Sequence, residues 1–181
     1  FLSKLNLSPD DFIVGNVSRF DVQKNQKLII KAAAGLAEES PDIKFVLVGD
    51  GRLYEQCRKL ARELNLEGMI HFTGEQMNLR DYYSVFDVFA FPTLWEGMPY
   101  VLLEAMASRL PIVCSDISSL REIVEDNNSA LFINPLSEAE LKEKVLKLYN
   151  DRELSDRISS NAYEKVKYYS EYFTVKKIEE I

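Results

Sequence analysis

Val88-Phe89-Ala90-Phe91-Pro92-Thr93-Leu94-Trp95-Glu96-Gly97-Met98-Pro99-Tyr100-Val101-Leu102-Leu103-Glu104-Ala105-Met106-Ala107-Ser108-Arg109-Leu110-Pro111-Ile112-Val113-Cys114 is the stretch that decides the fold. It opens on a short apolar run, Val88 to Pro92, and closes on another, Pro111 to Cys114. Short runs rich in β-branched and aromatic residues read as buried strands. Between them, Pro99 or Tyr100 opens a helix that continues to about Ser108, because a proline at the entry is a helix start signal. Two strands joined through a helix make a crossover unit, which requires parallel strands.

The same alternation extends in both directions. Phe12 to Val17 reads as a strand, and Asn25 to Glu39 as a helix with Leu28, Ile29, Ala32, Ala33 and Leu36 on one face. Phe45 to Val48 is a strand ended by the turn Gly49-Asp50-Gly51, to which no function need be given. A helix over Leu53 to Leu64, a strand over Ile70 to Thr73 and a short helix over Leu79 to Phe86 lead into the stretch above. Beyond it come a strand over Ala130 to Ile133 and helices over Glu138 to Asn150, Glu153 to Tyr168 and onward to Ile181. Strands alternating with helices imply an α/β fold, a doubly wound Rossmann-like parallel sheet of about six strands. One domain over 1–181 is expected. Its tail, 153–181, contains Tyr163, Tyr168, Tyr169 and Tyr172 and is expected to cover the sheet or a partner domain.

Composition narrows the function. The chain has 181 residues, 46% hydrophobic and 28% charged, enough for a core and a polar surface. A formal net charge of -7 argues against a nucleic-acid binder, which would show a basic face. It leaves room for a small anion held by a few local cations. With a single His, His71, a Cys/His zinc site is excluded, and Cys57 and Cys114 read as buried free thiols. No apolar run reaches the roughly 20 residues of a membrane span. The chain opens on Phe1 rather than Met and without a basic-then-apolar leader, so a longer parent protein is expected. Neither G-x-G-x-x-G nor G-x-x-x-x-G-K-[ST] is present, which sets aside dinucleotide dehydrogenases and P-loop NTPases.

In an open α/β sheet the ligand lies beyond the carboxyl ends of the strands, where the strand order reverses. For the order 3-2-1-4-5-6 that point lies between the first and fourth strands. The loops facing it are Ser18 to Lys27 and Thr93 to Pro99. The first carries Arg19, Lys24 and Lys27 in an acidic chain. It reads either as a diphosphate site, with Arg19 forking onto the phosphates and Lys24 as a point charge, or as a solvated loop. The second leads into a helix whose N-terminus favours an anion. Glu104 is the one charge between Tyr100 and Ala107. It either faces the crevice, where a carboxylate can accept bonds from a ribose diol, or lies on the outer face. Trp95 and Tyr100 suit ligand stacking, and packing of the loop at least as well.

Glu96 and Glu104, with seven residues between them, resemble the E-x7-E motif of the retaining GT-B enzymes of glycosyltransferase family 4. Trp95 to Ala107 and Pro111-Ile112-Val113 are similar to the signature around it. Val17-Ser18-Arg19 with Lys24, Val46 to Gly51, His71 to Gly74, Asp87 to Thr93 and Leu120 to Val124 match further family segments in order. The resemblance runs from about Phe12 to Tyr169 and is to the family's C-terminal, donor-binding domain, without the N-terminal acceptor domain. Pro99 stands where many members have Gly, Thr93 where Ser is common, and Arg109 where a small residue is usual. Ser118 and Ser119 stand where Gly is frequent.

The resemblance implies a nucleotide-sugar donor, a UDP-sugar before a GDP-sugar, and no cofactor or metal. Arg19 and Lys24 would hold the diphosphate as it leaves, and with Glu96 would form the catalytic set. Gly15, Phe72, Thr73, Gly97, Met98 and Glu104 would complete the donor site. In it Glu104 meets the ribose, Glu96 the sugar hydroxyls, the Gly97 and Met98 N–H groups the sugar or distal phosphate, and the Phe72 to Gly74 loop the base. Sugar transfer in bacterial surface or capsular polysaccharide synthesis is the implied function, in the cytoplasm or at the inner face of the membrane. Transfer by this chain alone is expected to be poor. A non-catalytic nucleotide-sugar-binding module and half of a GT-B sugar epimerase are the alternatives, the latter without evident acid–base residues.

Overall fold

The structure, a computed structural model, describes residues 1–169. Six strands form one sheet in the order β3-β2-β1-β4-β5-β6. They are β1 (Phe12–Val17), β2 (Ile43–Val48), β3 (Ile70–Gly74), β4 (Val88–Phe91), β5 (Ile112–Ser115) and β6 (Leu131–Ile133). All five pairings are parallel. The order reverses between β1 and β4, so the condition under which the two loops were named is met. β1 pairs with β2 along its whole length, Phe12↔Ile43 through Val17↔Val48. Its ladder with β4 consists of Val14↔Val88 and Gly15↔Phe89 alone. Beyond that short ladder lie the loops after β1 and β4, the place where an open α/β sheet takes its ligand.

Helices cover both faces because alternate strand side chains point to opposite sides. On one face, Val14, Phe45, Leu47, Val113 and Leu131 pack with residues of α1 (Gln26–Ala34), α2 (Tyr54–Glu63) and α6 (Glu138–Asn150). On the other, Ile13, Val17, Val46, Phe89 and Cys114 pack with residues of α3 (Leu79–Tyr83), α4 (Tyr100–Ala107) and α5 (Ser118–Arg121). α7 (Arg152–Val166) crosses between them, with Leu154 and Ile158 in the first core and Ala162 in the second. Ser137 and Asp151 cap α6 and α7 by accepting from the Glu140 and Leu154 N–H groups. No helix of the described residues is long and apolar enough to cross a membrane.

The described part of the tail packs on this domain. The Arg109 guanidinium lies 3.7 Å from the centre of the Tyr163 ring, and the Tyr169 hydroxyl donates to the Glu122 carbonyl at 2.9 Å. Tyr172 and the last expected helix, to Ile181, lie outside the described residues. Arg109 takes a φ of 58° just past α4. That conformation costs a side-chain-bearing residue roughly 1–2 kcal/mol, and the ring contact offsets part of it. Both cysteines are buried and unpaired, and burial pushes the Cys57 thiol up to about 11.

Candidate functional site

The two loops chosen from the sequence are bonded to each other across the crevice. Lys24 Nζ donates to Glu96 Oε1 at 2.6 Å. The Leu94 N–H donates to the Gln23 carbonyl at 2.8 Å, and Gln23 Nε2 to the Trp95 carbonyl at 2.7 Å. The Thr93 hydroxyl lies 2.7 Å from Glu96 Oε1 and 3.0 Å from the Gln23 carbonyl. The Lys24 and Glu96 side chains are 17% and 6% exposed, and the ammonium also sits over the Phe91 ring at 5.2 Å. Charges this far out of water need a partner, which explains the close pair. Both side-chain bonds to Glu96 fall on Oε1, so Oε2 takes neither.

A buried polar chain fixes the base of the first loop. Gln26 Nε2 donates to Ser18 Oγ at 2.8 Å, Ser18 Oγ to Asn16 Oδ1 at 2.7 Å, and Asn16 Nδ2 to the Ala90 carbonyl at 2.8 Å. It ties β1 to β4 where their ladder has stopped. The trace in the sequence is Asn16, a lone amide in the apolar strand Phe12 to Val17.

Arg19 projects from the same loop with its side chain 70% exposed, 3.7 Å from Asp21. The Gly49-Asp50-Gly51 turn presses on this loop. A Cβ on Gly49 would lie 2.1 Å from the Ser18 carbonyl oxygen, and one on Gly51 2.5 Å from that of Phe20. The turn therefore has a positioning role that the sequence did not disclose.

Glu104 is an exposed residue of α4 whose Oε2 accepts from the Tyr83 hydroxyl at 2.8 Å. Tyr83 is 5% exposed, and burial, then the bond to Glu104, pushes its phenol far above its usual range. A neutral hydroxyl thus donates to one carboxylate oxygen and leaves the other for a ligand. α4 starts at Tyr100, with Pro99 before it. Met98 is 55% exposed, and a Cβ on Gly97 would meet nothing within 4 Å. That loop is open to a ligand, and Trp95, also 55% exposed, stands beside it.

The remaining expected residues lie apart. Gly15 is inside β1, and a Cβ there would sit 2.1 Å from the Phe86 ring. Close packing accounts for this glycine. Phe72 is at the β3 end, packed against Phe20 and Tyr54 with ring centres 6.0 and 5.9 Å away. The Thr73 carbonyl accepts from Gln76 at 2.8 Å. Both residues line a cavity of about 650 Å³ along β3, with Lys4, Arg58, Arg62 and His71. β2 and β3 lie on one side of β1 and the β1–β4 crevice on the other. His71 keeps Nε2 buried and unbonded among the described residues, and burial pulls its pKa down.

Residues 2–165 match the family of glycosyl transferases group 1. The putative glycosyltransferase EpsF of Bacillus subtilis (strain 168) is 40% identical over 110 residues, 61% of this chain and 29% of that protein. The N-acetylgalactosamine-N,N'-diacetylbacillosaminyl-diphospho-undecaprenol 4-alpha-N-acetylgalactosaminyltransferase of Campylobacter jejuni is 31% identical over 159 residues, 87% of this chain and 42% of that protein. The chain spans less than half the length of these curated relatives. Anabaena Alr3699/HepE, solved with UDP and glucose, superposes with a TM-score of 0.88 and 25% identity over 99% of this chain and 50% of that one. The fold is that of the C-terminal half of a GT-B glycosyltransferase.

Proposed function

The chain belongs to the group 1 glycosyl transferases, and from that premise we propose that it is the donor-binding domain of a retaining, metal-independent, family 4 enzyme that moves a sugar from a nucleotide-sugar to an acceptor. The Lys24–Glu96 pair at the β1–β4 switch carries this reading. It brings together the two loops that a diphosphate-sugar must bridge; Arg19, largely exposed, comes from the first of them, and Glu104, on the helix after the second, is held by the Tyr83 hydroxyl through one oxygen.

The chemistry follows from charge. As the glycosidic bond to the diphosphate breaks, the leaving group gains negative charge and the anomeric carbon becomes cation-like. Arg19, Lys24 and the α4 N-terminus supply fixed positive charge to the leaving group, the term that often dominates catalysis. Glu96 holds Lys24 through Oε1 and offers Oε2 to a sugar hydroxyl. Glu104, oriented by Tyr83, binds the ribose diol. The base lies toward the Phe72 to Gly74 loop, and UDP, the ligand solved with HepE, is the favoured nucleotide.

An acceptor domain belongs to the longer parent protein, and the acceptor is a bacterial surface glycan or its lipid-linked precursor; the name of the Campylobacter enzyme carries a diphospho-undecaprenol-linked sugar. The parent works in the cytoplasm or at the inner face of the membrane. Titration calorimetry with UDP, GDP, UDP-glucose and GDP-mannose tests the donor class. Binding confined to the uridine pair supports the reading, and binding confined to the guanosine pair removes UDP from it. Transfer by the full-length protein, with product configuration read from the anomeric proton coupling, tests retention.

A further inference from the structure

Arg52 lies in the turn after β2, outside every segment assigned to the donor. Its Nη2 is nevertheless 2.7 Å from Asp21 Oδ1, while Nη2 of Arg19 is 3.7 Å from Asp21 Oδ2. One carboxylate, 16% exposed, is flanked by two guanidinium side chains that are 68% and 70% exposed. The hydrogen bond from Arg52 is the main cause holding the Asp21 carboxyl below the usual range. The backbone fixes where Arg52 stands. The Phe20 N–H donates to the Asp50 carbonyl at 2.9 Å, and the Leu53 N–H to the Phe20 carbonyl at 3.1 Å.

A phosphate at Arg19 has a rival in Asp21, since both are anions that accept a bidentate bond from the same planar fork. Arg52 engages that rival at hydrogen-bond distance, and Arg19 does not. We propose that Arg52 is a positioning residue for the donor diphosphate: it holds Asp21 and so leaves the Arg19 guanidinium free for the phosphates. The inference rests on the assignment of Arg19 to the donor. Without Arg52, Asp21 turns to Arg19, closes its fork and places a negative charge at the mouth of the site. Removing the Asp21 charge then restores Arg19. A residue that touched phosphate directly would not be rescued in this way.

The experiment is calorimetric titration of UDP and of inorganic pyrophosphate into the wild type, Arg19→Ala, Arg52→Ala, Asp21→Asn and the Arg52→Ala/Asp21→Asn double variant at one ionic strength. Urea midpoints confirm the fold of each, and Arg52→Gln replaces Arg52→Ala if the latter does not fold. Arg52→Ala is expected to weaken both ligands about three- to fivefold, the scale of a partly exposed ion pair. The double variant is expected to return to within about twofold of the wild type, on the same scale. An unchanged Kd in Arg52→Ala, or a double variant as weak as Arg52→Ala, overturns the inference. No binding by the wild type, or an Arg19→Ala variant that binds as the wild type does, overturns the donor-site assignment beneath it.

Discussion

Lys24 Nζ and Glu96 Oε1 stand 2.6 Å apart although 72 positions separate them in the chain. They come from loops beyond the carboxyl ends of β1 and β4, the two strands between which the sheet reverses. The pair is thus a consequence of topology, and it joins the two loops to each other. Truncating Lys24 would leave the Glu96 carboxylate with the Thr93 hydroxyl in a site where its side chain is 6% exposed. Lys24→Ala is expected to lower the urea unfolding free energy by about 1–3 kcal/mol. Lys24→Ala with Glu96→Gln should cost less than the sum of the two single changes, because they share one interaction. Strict additivity would count against the pair as a structural unit.

Tyr83 and Glu104 give a second prediction. The phenol holds one carboxylate oxygen so that the other can meet a diol. Tyr83→Phe should therefore reduce the preference for UDP over 2′-deoxy-UDP by about three- to tenfold, the worth of one hydrogen bond. An unchanged ratio of the two Kd values would show that the phenol does not orient the ribose contact.

Gly15 tests packing against donor contact. Its absent Cβ would lie 2.1 Å from the Phe86 ring. Gly15→Ala should cost about 1–3 kcal/mol of stability through overpacking. Phe86→Leu should recover part of that loss in the double variant. Nucleotide affinity in a folded Gly15→Ala/Phe86→Leu protein should match the wild type, and a large loss there would return Gly15 to the donor site.

The sequence carried the sheet because each strand is a short apolar run and most crossovers are helix-period segments. The reversal point then singled out the two loops that carry Arg19, Lys24 and Glu96, and the family resemblance gave those residues their roles. Less was visible where periodicity misleads. The helix expected to reach Glu39 ends at Ala34, with Gly35 after it, yet Leu36 stays buried and keeps the apolar period running. The four residues of α5 are too few to show a period. Arg52 and Tyr83 gave no local signal. Their roles depend on Asp21, 31 positions away, and Glu104, 21 positions away. The Phe72 ring packs in a cluster with Phe20 and Tyr54, a contact that only the fold brings about.

His71 sets a pH dependence. Burial depresses its folded pKa below the ordinary 6.5, so the unfolded chain binds the proton more readily. Its contribution to stability is complete above 6.5 and is lost as pH falls from there toward the folded pKa. The thermal midpoint should fall between about pH 7.5 and 5.5, spanning the ordinary His range, and His71→Gln should flatten that fall. An equal fall in the variant would assign it to other groups.

The central claim is that Arg19 and Glu104 hold two parts of one nucleotide-sugar across the β1–β4 switch. Its most direct test is the affinity of UDP for the wild type, Arg19→Ala and Glu104→Ala, measured on the longest form of the protein that folds. The account predicts a loss of about tenfold or more in each variant, roughly 1.4 kcal/mol, with fold and thermal midpoint retained. Wild-type affinity in both variants would contradict it and move the nucleotide away from the crevice.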